Sequence, residues 1–219
     1  MLAQVNGTTL YYEKTGTGRP LVLVHGNGED HTIFDEAVAV LNRQFTCYTP
    51  DSRGHGQSAP ANELHYADMA ADFVALIGAL ELRDVAFYGF SDGGIVGLLA
   101  AAQCHAITSL IVSGANITPG GVRPAARLGM LADYLRRRDP KTKLMLAEPH
   151  IPDALLGRIT AKTLVLAGAN DLIRERQTRR IAAAIPNAKL RILPGEDHCS
   201  YVVHSQRIAQ LLTDFLGED

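Results

Sequence analysis

Val85-Ala86-Phe87-Tyr88-Gly89-Phe90-Ser91-Asp92-Gly93-Gly94 decides the reading of this chain. A β-rich run leads into a serine flanked by glycines at 89 and 93, and a stretch of small apolar residues, 94–104, leads out of it. A G-x-S-x-G pattern between a strand and a helix is a sharp turn that lifts the serine hydroxyl clear of a sheet edge. The glycines have a physical reason. The serine takes up a strained conformation, and side chains at 89 or 93 would crowd the turn. The helix start behind Ser91 offers free N–H groups and the positive end of a dipole.

Working outward, further short apolar runs occur at 21–24, 45–48, 107–112, 163–166 and 190–193. They read as strands of a buried parallel sheet. Helical spacing fills the gaps, in Ala67, Ala70, Ala71, Val74, Ile77 and Leu80, and in residues 177–185 and 205–216. Strands alternating with helices predict an α/β fold with a doubly wound, mostly parallel sheet. Asn6-Gly7, between runs at 3–5 and 8–12, predicts an N-terminal hairpin. Residues 116–157 break the rhythm with Pro119, Pro124, Pro140, Pro149 and Pro152 and with two helical stretches, 125–137 and 141–147. They read as a short lid or cap insertion within a single domain spanning 1–219. Arg136-Arg137-Arg138 inside it reads as a solvated helix end, where positive charge suits the dipole.

Composition narrows the function classes. The 219 residues are 47% hydrophobic and 20% charged, enough for one domain with a self-sufficient core. The formal net charge is −2, which predicts no hold on nucleic acid or on an anionic membrane. Cys47, Cys104 and Cys199 are odd in number and form no CxxC pair, against a disulfide framework and against a zinc site. Residues 1–18 lack a basic start followed by an apolar run, and the apolar stretch at 93–104 falls short of the ~20 residues that span a bilayer. The expectation is a soluble cytoplasmic protein, and oligomeric state is not legible. Gly54-His55-Gly56-Gln57-Ser58-Ala59 formally fits a dinucleotide fingerprint, but Pro60 follows and no helix opens there. No cofactor and no metal is expected.

A serine hydroxyl needs a base to act as a nucleophile. In strand–turn–helix sites of this kind the chain order is serine, acid, histidine. His198 follows the last predicted strand, and Asp171 follows the strand at 163–166, so Ser91, Asp171 and His198 are in that order. Asp197 is the rival acid. A neighbour in sequence does not usually turn back onto the ring, so Asp171 is preferred. The developing oxyanion needs two preorganised donors. The backbone N–H of Asp92 supplies one, and that of Asn27, in His25-Gly26-Asn27-Gly28, the other. His25 reads as a brace for this loop, and Cys199 as a spectator thiol.

Together with the run from Asp51 to Ser58, these motifs resemble the α/β-hydrolase superfamily, and within it the small serine hydrolases, over nearly the whole chain. The Asp51 run is similar to the family's D-x-R-G-x-G-x-S turn, which implies a structural brace. Dehalogenases and epoxide hydrolases share the resemblance but use an aspartate nucleophile. Ser91 at the elbow therefore implies an acyl-serine intermediate. The implied function is cleavage of a small carboxylic ester or related acyl bond, with a small-molecule acyl substrate as the partner. Two alternatives stay open. One is cofactor-free, haloperoxidase-like acyl transfer to peroxide. The other is a non-catalytic or slowly hydrolysing small-ligand binding protein. Arg123, Arg127 and His150 are candidate pocket residues from the insertion, and either arginine would suit a substrate carboxylate.

Overall fold

A computed structural model describes residues 1–218. Its strands are β1 (Leu2–Val5), β2 (Thr8–Thr15), β3 (Arg19–Val24), β4 (Phe45–Pro50), β5 (Val85–Phe90), β6 (Ile107–Ser113), β7 (Lys162–Gly168) and β8 (Ala188–Leu193). They form one sheet in the order β1-β2-β4-β3-β5-β6-β7-β8. β1 with β2 and β2 with β4 pair antiparallel, and every later pair is parallel. Asn6 and Gly7 both take positive φ, as the two-residue hairpin turn requires.

The helices are α1 (Asp35–Leu41), α2 (Tyr66–Ala79), α3 (Asp92–Ala101), α4 (Pro124–Arg137), α5 (Pro140–Ala147), α6 (Asp153–Leu156), α7 (Glu175–Ala184) and α8 (Arg207–Leu216). α1 and α6 are short, seven and four residues, and carry too few turns for a helical period to stand out in the sequence. α4, α5 and α6 all lie between β6 and β7, within the expected insertion. Ile117, Ile151 and Leu156 sink into the core, so the insertion is anchored at its ends.

Alternation along the central strands builds a core on each face of the sheet. Val22, Val24, Val85 and Phe87 pack beneath α2 and α3. Leu21, Leu23, Ala86 and Tyr88 face the other way, toward α1 and α8. α8 presents Ile208, Leu211, Leu212 and Phe215 on one helical face to that second core. Each large side chain so buried contributes about 1.5–3 kcal/mol. The strand order fixes where a site can form. β4 leaves β3 on one side and β5 pairs with it on the other, so the loops after β3 and β5 diverge and open a crevice at the strand ends.

Candidate active site

Ser91 stands between β5 and α3 at φ 52° and ψ −114°, a conformation that L-residues rarely adopt. Surrounding bonds hold it there. Its N–H donates to Ser113 O at 2.8 Å, and its carbonyl accepts from Gly94 N and Ile95 N. The flanking glycines are obligatory. A Cβ at Gly89 would strike Gly93 O, and one at Gly93 would strike Val24 O, both rigid backbone.

The sequence-derived partners converge on this serine. His198 Nε2 lies 3.1 Å from Ser91 Oγ, and His198 Nδ1 lies 2.7 Å from Asp171 Oδ1. Asp171 is buried, and the same oxygen accepts from Ile173 N at 2.8 Å. A carboxylate on Nδ1 keeps the proton there and leaves Nε2 free to accept the serine proton. The imidazole rests against the Phe90 ring, 5.0 Å between centroids, and against Gly114, where a Cβ would lie 2.6 Å from the ring. The rival Asp197 points elsewhere. Its Oδ1 accepts from Cys199 N and Ser200 N, which hold its carboxyl below the usual carboxylate range.

The two expected oxyanion donors flank the serine. Asp92 N is the first residue of α3, and Asn27 N belongs to the β3 loop. Neither N–H has an acceptor among the described residues. The loop is braced as expected. His25 Nε2 accepts from Ser52 N at 3.0 Å, so Nδ1 carries the proton and donates to Gly26 O at 2.7 Å. Burial lowers the His25 pKa, which keeps the ring neutral in that role. Asp51 is fully buried. It accepts from His31 N, His31 Nδ1 and Gln57 N, so the run from Asp51 to Ser58 is a hydrogen-bonded scaffold.

Three acidic side chains that motif reading did not single out as such line the cavity beside Ser91. The cavity measures about 240 Å³ and is roofed by Met130 of α4 and Met145 of α5. Glu29 accepts from Gly26 N at 2.9 Å, and burial raises its pKa. Glu148, just past α5, accepts from Tyr66 N and pairs with His65 Nδ1 at 2.6 Å. The Asp92 side chain accepts from Asn27 Nδ2 at 2.8 Å, and burial pushes its carboxyl up to about 6. Only Asp92 had a local signal, its place beside the serine. Glu148 reaches the site from the far side of the insertion, which no motif marks. The arginines considered from sequence lie elsewhere. Arg123, Arg127 and His150 are exposed and do not line the cavity. Cys199 does line it, with its thiol pushed up to about 11 by burial and neighbouring carboxylates.

Comparison with known proteins identifies the fold family. A family model described as alpha/beta hydrolase fold matches residues 19–155. The serine hydrolase BPHL of Homo sapiens is 29% identical over 247 aligned positions, covering 97% of this chain and 84% of that protein. A putative non-heme chloroperoxidase of Synechocystis is 25% identical over 98% of each. The crystal structure of a bromoperoxidase from Bacillus anthracis superposes with a TM-score of 0.87 at 22% identity, over 100% of this chain and 99% of the other. Among the described residues no helix is long and apolar enough to cross a membrane. With the family model covering more than half of its length, the chain belongs to the alpha/beta hydrolase family.

Proposed function

We propose that this protein hydrolyses small carboxylic esters through an acyl-Ser91 intermediate. The observation that carries the reading is the unbroken chain of contacts from Asp171 through His198 to Ser91 in the wall of a cavity. Ser91 Oγ attacks the ester carbonyl while its proton passes to His198 Nε2. The oxyanion sits between the N–H groups of Asn27 and Asp92, each contributing about 3–4 kcal/mol to the barrier lowering. Collapse expels the alcohol, which takes the proton from His198. Water then attacks the acyl-enzyme, gives its proton to His198, and releases the acid and free Ser91. The serine hydrolase relative supports this chemistry.

The insertion acts as a lid, with Met130 and Met145 over the nucleophile. The cavity is below the usual ~300–1,000 Å³ of ligand pockets, which favours a short acyl or alcohol group. Glu29, Asp92 and Glu148 favour neutral or cationic esters over carboxylate-bearing ones, since like charges repel in a poorly solvated site. The Synechocystis relative supports a second outcome from the same acyl-enzyme, attack by hydrogen peroxide in place of water to give a peroxyacid.

The experiment is fluorophosphonate labelling read by intact mass, paired with turnover of a short neutral ester. One label on Ser91, absent from Ser91→Ala, and a loss of roughly 10⁴-fold or more in kcat for Ser91→Ala and His198→Ala are expected. Asp171→Asn should lose far more than Asp197→Asn. A native protein that takes no label, or takes it at another residue, overturns the reading in favour of a binding protein. Peroxyacid formation exceeding hydrolysis in the presence of peroxide would assign the second outcome.

A further inference from the structure

The lid helix α4 carries an unusual outer face. None of its residues is buried. Leu128, Leu131 and Leu135 are 68%, 43% and 58% exposed, and at 100° per residue they fall within about 60° of one another. They form a crest of three leucines pointing away from the cavity that Met130 of the same helix helps to close. Leu146 of α5 lines the same surface groove as Leu128 and Leu131 and widens the apolar patch.

Charge is concentrated around that crest. Residues 123–143 contain Arg123, Arg127, Arg136, Arg137, Arg138, Lys141 and Lys143 against only Asp133 and Asp139, a net charge of +5. The whole chain carries −2, so the remainder carries −7. Whole-chain charge therefore conceals a basic segment at 123–143, inside an insertion, 116–157, whose net charge is +3 once Glu148 and Asp153 are counted. The five arginines and Lys143 are exposed. Arg137 pairs with Asp133 at 2.9 Å, and Arg138 lies over the Tyr134 ring. By helical position Arg127 and Arg136 flank the leucines on opposite sides.

We propose that this face docks on an anionic lipid surface, with the leucines in the acyl boundary and the arginines among the headgroup phosphates. A helix with an apolar crest and a basic surround has the composition of a segment that lies in a membrane interface. Complementary charge singles out an anionic surface. A deformable lipid interface accommodates both the exposed leucines and the shallow groove that Leu128 and Leu131 line with Leu146, without a matched partner surface. Self-association through this face would bring two +5 surfaces together. The proposal concerns binding and does not depend on the ester chemistry.

Vesicle co-sedimentation tests it. The probes are vesicles of phosphatidylglycerol with phosphatidylcholine, and of phosphatidylcholine alone, at two salt concentrations. The native chain should bind the anionic vesicles at least tenfold more tightly than the neutral ones, and high salt should weaken that binding. L128S/L131S/L135S and R123Q/R127Q/R136Q should each lose most of the binding. Both variants should keep the native circular dichroism spectrum and turnover of a water-soluble ester. Absence of binding to anionic vesicles, equal binding to both vesicle types, or undiminished binding by the leucine variant overturns the proposal. A native dimer in sedimentation velocity that L128S/L131S/L135S dissolves would also overturn it, assigning the face to a second copy.

Discussion

Asp92 is the residue whose environment and chemistry conflict most. It follows the nucleophile, its N–H faces the expected oxyanion position, and its carboxyl is buried with one amide donor from Asn27. Burial raises the carboxyl to about 6, from an ordinary value of 3.8. A raised acid binds its proton more tightly in the folded state. The ionised form therefore costs stability at high pH, and the cost disappears once both states are protonated. Asp92→Asn keeps an acceptor for Asn27 and removes the charge. It should stabilise the fold at pH 8, by up to roughly 3 kcal/mol, with the gain fading as pH falls from about 6 to about 4. Urea unfolding at pH 8 and pH 4 measures this, and an equal difference at both would refute the burial account. Cys199 follows the same logic. A thiol pushed up to about 11 is protonated at neutral pH and adds no second nucleophile.

At the scale of elements, the turn from β5 into α3 depends on absent side chains. Gly93 faces the Val24 carbonyl, which is fixed by the pairing of β3 with β5 and cannot yield. Gly93→Ala should destabilise by about 1–3 kcal/mol or more and lower Ser91 reactivity, because the strand end and the nucleophile must both shift. Gly78, in the last turn of α2, has open space where a Cβ would go. Gly78→Ala should stabilise by about 0.4–1 kcal/mol, through reduced freedom of the unfolded chain and better helix propensity. Thermal unfolding of the two variants side by side gives opposite signs if the contrast is steric. The same element explains the oxyanion geometry. A helix that starts at Asp92 leaves its first N–H groups without intrahelical acceptors.

Across the whole molecule, one buried carboxylate ties distant segments together. Asp72 of α2 accepts from Arg53 Nε at 2.6 Å and from Asn6 Nδ2 at 2.9 Å. The hairpin turn, the loop after β4 and α2 thus share one partner. Arg53 is also the residue that follows the Asp51–Ser52 start of the loop brace. Arg53→Met strands a buried charge and should cost about 3–5 kcal/mol. Arg179→Ala removes an exposed pair with Glu175 one helical turn away and should cost less than about 0.5 kcal/mol. Chemical denaturation of both variants tests whether burial, rather than the number of ion pairs, sets their worth.

The sequence alone determined the strand–turn–helix around Ser91, the hairpin at Asn6-Gly7, the runs that became β3 to β8, and the order of Ser91, Asp171 and His198. These are local facts. Glycine where φ must be positive, β-branched runs where a strand is buried on both faces, and a fixed chain order all leave their mark within a few residues. The preference for Asp171 over Asp197 was legible because a side chain seldom reaches back onto its neighbour's ring. The tertiary structure decided what depends on distant segments meeting. It brought Glu148 from beyond α5, Tyr66 from α2 and Glu29 from the β3 loop into one cavity with Asp92, and left Arg123 and Arg127 outside it. The contrast between a basic run at 123–143 and an acidic remainder, however, is legible in the sequence once charge is summed by segment. Net charge and spacing average over the chain, whereas desolvation, repulsion and the hold on a substrate act over a few ångströms, between groups that only the fold makes neighbours.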